Sequence, residues 1–198
     1  MGNGIFEPGL AQRGSVSRMV RRFLRDSRGA SAIEFVLVFP IMVVLLAGTV
    51  DLSQALLVSR KMNQIAATLG DMISQKANWT DDDVKAIMTG AATIIEPFDT
   101  GKLAIQLAVV DVSNDLTSKV NWAEAYNTTV LSKGDDPPVD IPKSIAEEGV
   151  QLIAVNATFT LTTPFSSLLE PITGNASYSY SRNYIMRPRV KDSVALKS

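Results

Sequence analysis

The chain has 198 residues, of which 46% are hydrophobic, and its formal net charge is −1 at pH 7. That length accommodates one ordinary domain together with a membrane segment. The sequence contains no cysteine and no histidine, which excludes disulfides, thiolate metal sites, cysteine nucleophiles and serine–histidine catalysis. We therefore expect a protein that is not an enzyme and that needs no cofactor.

Residues 1–29 form a basic leader. It carries six arginines against Glu7 and Asp26, a net charge of +4. Basic residues beside a membrane span stay on its cytoplasmic side, so the leader is predicted to be cytoplasmic and the C-terminal part extracytoplasmic. The arginines lack the interleaved aromatic residues and the folded basic face of a nucleic-acid surface, and no nucleic-acid partner is expected.

Residues 30–50 are predicted to form a single transmembrane helix. About 20 apolar residues suffice to cross a bilayer as a helix, and Glu34 is the only charged residue in this run. Pro40 lies inside it and predicts a kink, which membrane helices tolerate when their neighbours compensate. No small-x-small cleavage pattern follows cleanly, so we interpret the run as a retained membrane helix.

The helix is predicted to continue as an amphipathic stalk over residues 51–76. Side chains at spacings of three and four mark one face of this stalk, with charged and amide residues elsewhere. The residues that define the face are Leu52, Leu56, Ser59, Met62, Ala66, Leu69 and Ile73.

Residues 77–198 are predicted to form a small extracytoplasmic head of α+β class with an antiparallel sheet. Thr80, followed by three aspartates, marks the start of a helix that runs to Ile95. Alternating apolar residues predict strands over 103–110, 120–126, 153–161 and 178–184, with a short helix near 144–148. The tyrosines of the last strand, Tyr178, Tyr180 and Tyr184, are expected to pack in the core. The order of the strands is left open.

Asp111, Ser113 and Asp115 follow the first of these strands at a spacing that can place oxygen ligands on Mg²⁺. A turn between two strands explains the same residues more simply. We therefore predict no metal site and keep these three residues as weak candidates.

Glu34 needs a physical explanation, because a carboxylate inside a bilayer costs a few kcal/mol and usually has a partner. It can lie near the headgroups and reach water. Alternatively, cleavage after Gly29 makes the nitrogen of Ala30 an α-ammonium. The Glu34 carboxylate of one copy then pairs with the ammonium of another, which offsets both desolvation costs and fixes the register of the two helices.

Residues 28–40 read Arg-Gly-Ala-Ser-Ala-Ile-Glu-Phe-Val-Leu-Val-Phe-Pro. With the apolar run, Gly48 and the amphipathic helix behind them, they resemble the TadE/TadG-like family, the minor pilins or pseudopilins of tight-adherence (Tad/Flp) type IV pilus systems. The resemblance implies cleavage by a prepilin peptidase between Gly29 and Ala30, and assembly through Glu34 and Phe35. It also implies a bacterial inner-membrane protein with a periplasmic head that serves pilus assembly or surface attachment, in the membrane or in a surface pilus. Its partners are then the peptidase, other pilins or pseudopilins and the assembly platform.

A second interpretation belongs to another functional class. The chain could be an uncleaved, single-pass protein that tethers a periplasmic binding module to the membrane. Removal of residues 1–29 distinguishes the two interpretations, because only the pilin-like protein is processed.

Overall fold

The structure, a computed structural model, describes residues 27–163, 165–166, 170–171, 174, 176–190 and 193–197. Most of the predicted leader, residues 1–26, lies outside the described residues. The chain divides into two compact units, Met1–Ala47 and Gly48–Ser198. The second unit begins within the predicted membrane span 30–50, and it contains both the predicted stalk and the predicted head.

Helix α1 spans Ser27–Ser74 without interruption and includes Pro40. From Val58 onward, one face of this helix is buried in the core of the second unit, so residues predicted as a stalk are part of the head. The fully buried side chains on that face are Val58, Met62, Ile65, Ala66, Leu69 and Ile73.

The predicted apolar face was wrong at its N-terminal end. Leu52 and Leu56 are 62% and 54% exposed. Counting back from Met62 in steps of three and four leads instead to Val58, Ala55 and Asp51, which are buried or half-buried. The helical period therefore places an acid on the inner face and two leucines on the outer face.

Helix α2 spans Asp81–Ala92 and continues as a 3₁₀ turn over Thr93–Ile95. Thr80 caps it, because its side-chain oxygen accepts a hydrogen bond from the Asp83 backbone N–H at 3.2 Å. Both the cap and the end at Ile95 confirm the prediction. The three aspartates of the first turn face the positive end of the helix dipole, which favours them there.

A four-stranded antiparallel sheet forms the centre of the head and confirms the predicted α+β class. The strands of the head are β1 (Asn78–Thr80), β2 (Leu103–Val112), β3 (Ser118–Tyr126), β4 (Gln151–Leu161), β5 (Tyr178–Met186) and β6 (Ala195–Lys197). The spatial order in the central sheet is β3-β2-β4-β5. Strands β2 and β3 form a hairpin, whereas the connection after β3 returns the chain to the other side of β2.

The two faces of this sheet carry separate apolar clusters. On one face, Ile105 belongs to a cluster that includes Leu107, Val155, the buried side of α1 and residues of α2. Tyr178, Tyr180 and Tyr184 pack against the same cluster, as predicted. The cluster on the other face is smaller, and it includes a residue of the connection between β3 and β4. Its members are Ala108, Val110, Val112, Val120, Ala123, Ala146 and Leu152.

Two local features differ from the sequence predictions. The prediction of a short helix near 144–148 is wrong. This region forms turns closed by single hydrogen bonds, such as the one that Ile145 N–H donates to Pro142 C=O. Gly149, with φ of +74°, ends the segment in a conformation that a helix does not adopt. A short parallel pair that was not predicted joins β1 to β6.

Gly70 lies where α1 approaches β5 closely. A Cβ atom at this position would lie 2.9 Å from Tyr184 Cδ1 and 3.0 Å from Met186 Sδ. Nonbonded carbon atoms prefer separations of about 3.5–4.0 Å. The close packing of this helix on the sheet therefore requires glycine here.

We expect Gly70→Ala to destabilise the protein and Gly90→Ala to stabilise it. Overpacking at Gly70 costs about 1–3 kcal/mol, more than the ~1 kcal/mol that alanine contributes to a helix interior. Gly90 is exposed in α2, and a Cβ there meets nothing within 4 Å, so only the helix gain remains. Denaturant unfolding of the full chain in detergent measures both changes, and equal stabilisation by the two substitutions contradicts the close contact.

Candidate assembly and membrane segment

Every site residue predicted from the N-terminal motif lies in the first part of α1. Gly29 and Ala30 are in its first turn, with Glu34, Phe35 and Pro40 following in the same helix. The residues around them are almost all apolar, and membrane helices tolerate a proline when neighbouring groups compensate for the lost hydrogen bond. The predicted kink at Pro40 stays a prediction, since the helical assignment continues through that residue.

Glu34 is exposed on this helix. Within the part of the chain that the structure describes, its carboxylate has no ion-pair partner. Helical side chains lean toward the N-terminus, and residues four apart share a face. The Glu34 carboxylate therefore leans toward the turn that contains Ala30, where cleavage after Gly29 would create an ammonium group.

Phe35 and Phe39 form an aromatic pair on the helix surface. Their ring centroids are 5.5 Å apart with an interplanar angle of 33°, and the side chains are 62% and 52% exposed. Rings four residues apart meet on one face of a helix. The pair presents an exposed aromatic surface that begins at the residue after Glu34.

The apolar side chains of this segment are turned outward. One helix among the described residues is long and apolar enough to cross a membrane, over Ala32–Ser74, and only 6% of its most apolar window is buried. A core helix of a soluble protein would instead be largely buried. The exposed side chains of the segment are Ile33, Phe35, Val36, Leu37, Val38, Phe39, Ile41, Met42, Val44, Leu45 and Leu46.

The three weak metal candidates all take part in hydrogen bonds, Asp111 with residues of the two neighbouring strands and Ser113 and Asp115 within the turn. Asp111 accepts from Asn121 Nδ2 at 2.6 Å and from Gln151 Nε2 at 2.7 Å. Asp115 Oδ1 accepts instead from the hydroxyls of Ser113 at 2.5 Å and Thr117 at 2.7 Å. Among the described residues, no group of three or more carboxylate side chains is placed to hold a metal ion. The contacts of Ser113 and Asp115 support the interpretation of these residues as a turn between two strands.

The turn lowers the pKa of the Asp115 carboxyl to about 2, because hydrogen bonds from Ser113 and then from Thr117 favour its ionised form. The hydrogen bonds to the ionised Asp115 carboxylate therefore contribute fully to the stability of the folded protein above pH 3.8, the ordinary pKa. This contribution is lost as the pH falls through about 2. We expect Ser113→Ala to raise the Asp115 midpoint toward 3.8 in a carbon-13 titration of the full chain in micelles. Ser118→Ala removes a hydroxyl that does not bond Asp115, and an equal rise in that control contradicts the assignment.

Asp51 was not predicted as a site residue. It is 6% exposed, and both carboxylate oxygens are buried without a hydrogen-bond partner among the described residues. The signal was present in the sequence, since Asp51 lies seven residues before Val58 on the buried face. The prediction missed it because it assigned the neighbouring leucines to the apolar face.

Comparison with known families agrees with the N-terminal motif. Residues 29–69 match the model of the TadE-like protein family. The N-terminal segment of this chain is TadE-like. The match begins at Gly29 and extends through the apolar run into the buried part of α1, which confirms the TadE/TadG resemblance over that segment. No curated protein and no solved structure matches the chain significantly.

Proposed function

We propose that this chain is a structural minor pilin or pseudopilin of a tight-adherence pilus, needed for pilus assembly or surface attachment. One observation carries the proposal. The TadE-like segment begins at Gly29, and an exposed glutamate follows five residues later inside an outward-facing apolar helix. Acidic side chains are rare within membrane helices, and those that occur usually have a function.

Processing supplies a partner for Glu34. A prepilin peptidase cleaves between Gly29 and Ala30, which leaves an α-ammonium at the start of α1. In a stack of staggered copies, the ammonium of one subunit meets the Glu34 carboxylate of the next in a low-dielectric environment. Removing either partner leaves a buried charge, so the pairing selects one register of the helices. The exposed Phe35 packs beside this contact.

The charge distribution supports a bacterial inner-membrane location before assembly. The arginine-rich leader holds the N-terminus in the cytoplasm, and the four-stranded sheet lies in the periplasm. The partners are the prepilin peptidase, other pilins or pseudopilins and the assembly platform. The protein acts by packing and charge pairing, as a substrate of the peptidase rather than as an enzyme.

The N-terminal residue and intact mass of the membrane protein test this function, in hosts with and without prepilin peptidase. We expect a start at Ala30 only where the peptidase is present. A chain that retains residues 1–29 in both hosts overturns the pilin assignment. That result favours the uncleaved tethered binding module.

A further inference from the structure

Asp51 is the first charged residue after Glu34 in the sequence, and it ends the predicted membrane span. Its side chain is buried, with 6% of its surface exposed, rather than presented on the exposed surface of α1. The charge that closes the apolar run in the sequence therefore does not interrupt the outer face. The predicted membrane span ends at residue 50 only because Asp51 follows, and the Asp51 side chain is buried.

The outer face of α1 remains uncharged beyond Asp51. Leu52, Leu56 and Leu57 are 62%, 54% and 43% exposed, and Ser53 between them is exposed but uncharged. The next charged residue is Arg60, which is exposed. Lys61 is directed inward, since its Nζ donates to the Ile94 carbonyl at 2.7 Å.

These leucines follow the exposed apolar residues along the same helix, α1. Fourteen of the eighteen exposed large apolar side chains of the described residues lie on α1 between Ile33 and Leu57. The uncharged outer face covers residues 35–59, about 25 residues, which is the upper limit for a membrane helix and suits a tilted one. Isolated exposed leucines need no explanation, whereas a continuous patch indicates a binding surface.

We propose that the lipid-facing surface of α1 extends past residue 50 to Leu57, with Arg60 at the boundary to water. This inference rests on the membrane anchoring of the proposed function. The occupant of the leucine surface is the bilayer, because the surface continues the span without an exposed charge. Arg60 can place its charged end among the headgroups while its stem lies along the apolar surface. The turns of α1 from residue 51 to residue 57 thus lie in the periplasmic leaflet of the inner membrane and do not form a water-exposed stalk.

Single-cysteine variants of the full chain test the boundary, since the natural sequence has no cysteine. Spin labels are placed by Leu52→Cys and Leu56→Cys, with Leu46→Cys as the reference inside the span and Gln64→Cys as the reference beyond Arg60. The variants are reconstituted in vesicles of phosphatidylethanolamine and phosphatidylglycerol. Collision with oxygen reports lipid, and collision with a water-soluble nickel chelate reports water.

We expect labels at 52 and 56 to behave as the label at 46, with high oxygen and low nickel accessibility. Their thiols should also react about tenfold more slowly with a water-soluble maleimide than the thiol at 64, because an apolar environment disfavours the thiolate. Nickel accessibility equal to that at 64 overturns the inference and returns the boundary to residue 50. Shielding from both reagents also overturns it, since another copy then covers the leucines. Water accessibility at 46 as well would contradict membrane anchoring itself, and thereby the proposed function.

Discussion

A Gly29→Leu variant is expected to accumulate as a precursor that retains residues 1–29, with no detectable protein starting at Ala30. Glycine allows close approach of another backbone because it has no Cβ, and the TadE-like segment begins at this residue. A branched side chain next to the proposed scissile bond is expected to prevent the peptidase from closing on the chain. Intact-mass analysis of membrane fractions measures the effect as a change between two discrete masses.

Gly48→Leu is the matched control for this experiment. Gly48 lies in the same helix, and a Cβ there meets nothing within 4 Å, so the first carbon of the added side chain has space. We expect the Gly48→Leu protein to start at Ala30 like the parent chain. Normal processing of Gly29→Leu contradicts the proposed cleavage site. Loss of processing in both variants indicates a general effect of the added leucine on the helix.

A Glu34→Ala variant is expected to be processed at Gly29 and yet to give few or no pili. Removing one partner of a buried charge pair costs about 3–5 kcal/mol, and in the proposed pair this substitution leaves the ammonium of Ala30 without its partner. At about 1.4 kcal/mol for each factor of ten, this weakens each contact by roughly a hundredfold or more. Counting pili by electron microscopy and quantifying sheared fibres measures the loss.

Membrane insertion does not explain such a loss. Removing a carboxylate from an apolar helix makes insertion easier, so the Glu34→Ala protein should reach the membrane at the parental level. Ile33→Ala changes the adjacent exposed residue and keeps the charge, and it should leave pilus numbers close to parental. Parental piliation of Glu34→Ala supports the alternative in which this carboxylate simply reaches water near the headgroups.

Local signals were sufficient for much of the fold. Thr80 caps α2 because its hydroxyl bonds a backbone N–H only three residues ahead. The alternating residues of β2 and β4 specify strands because their period of two is a property of the extended chain. The short helix near 144–148 failed for a local reason as well, since so few residues cannot offset the cost of starting a helix.

The order of the strands was decided by tertiary structure. β4 pairs with β2 over the whole range from Leu103 opposite Phe159 to Asp111 opposite Gln151. Each pairing joins residues far apart in the chain, and their apolar patterns fit several orders equally well. The close approach of Gly70 to Tyr184 and the hydrogen bond from Arg182 Nη2 to Ser59 Oγ at 2.7 Å also connect distant residues, so neither was visible in a local pattern.

The sequence by itself determined the candidate membrane segment and its candidate site. Gly29, Glu34 and Pro40 lie close together in the sequence, and the geometry of a helix sets their relative positions without contacts from the rest of the chain. Only the tertiary structure decided which face of α1 the head covers. Val58 is buried and Leu56 exposed because the sheet packs against one side of the helix, and the direction of that side depends on contacts made by residues far along the chain.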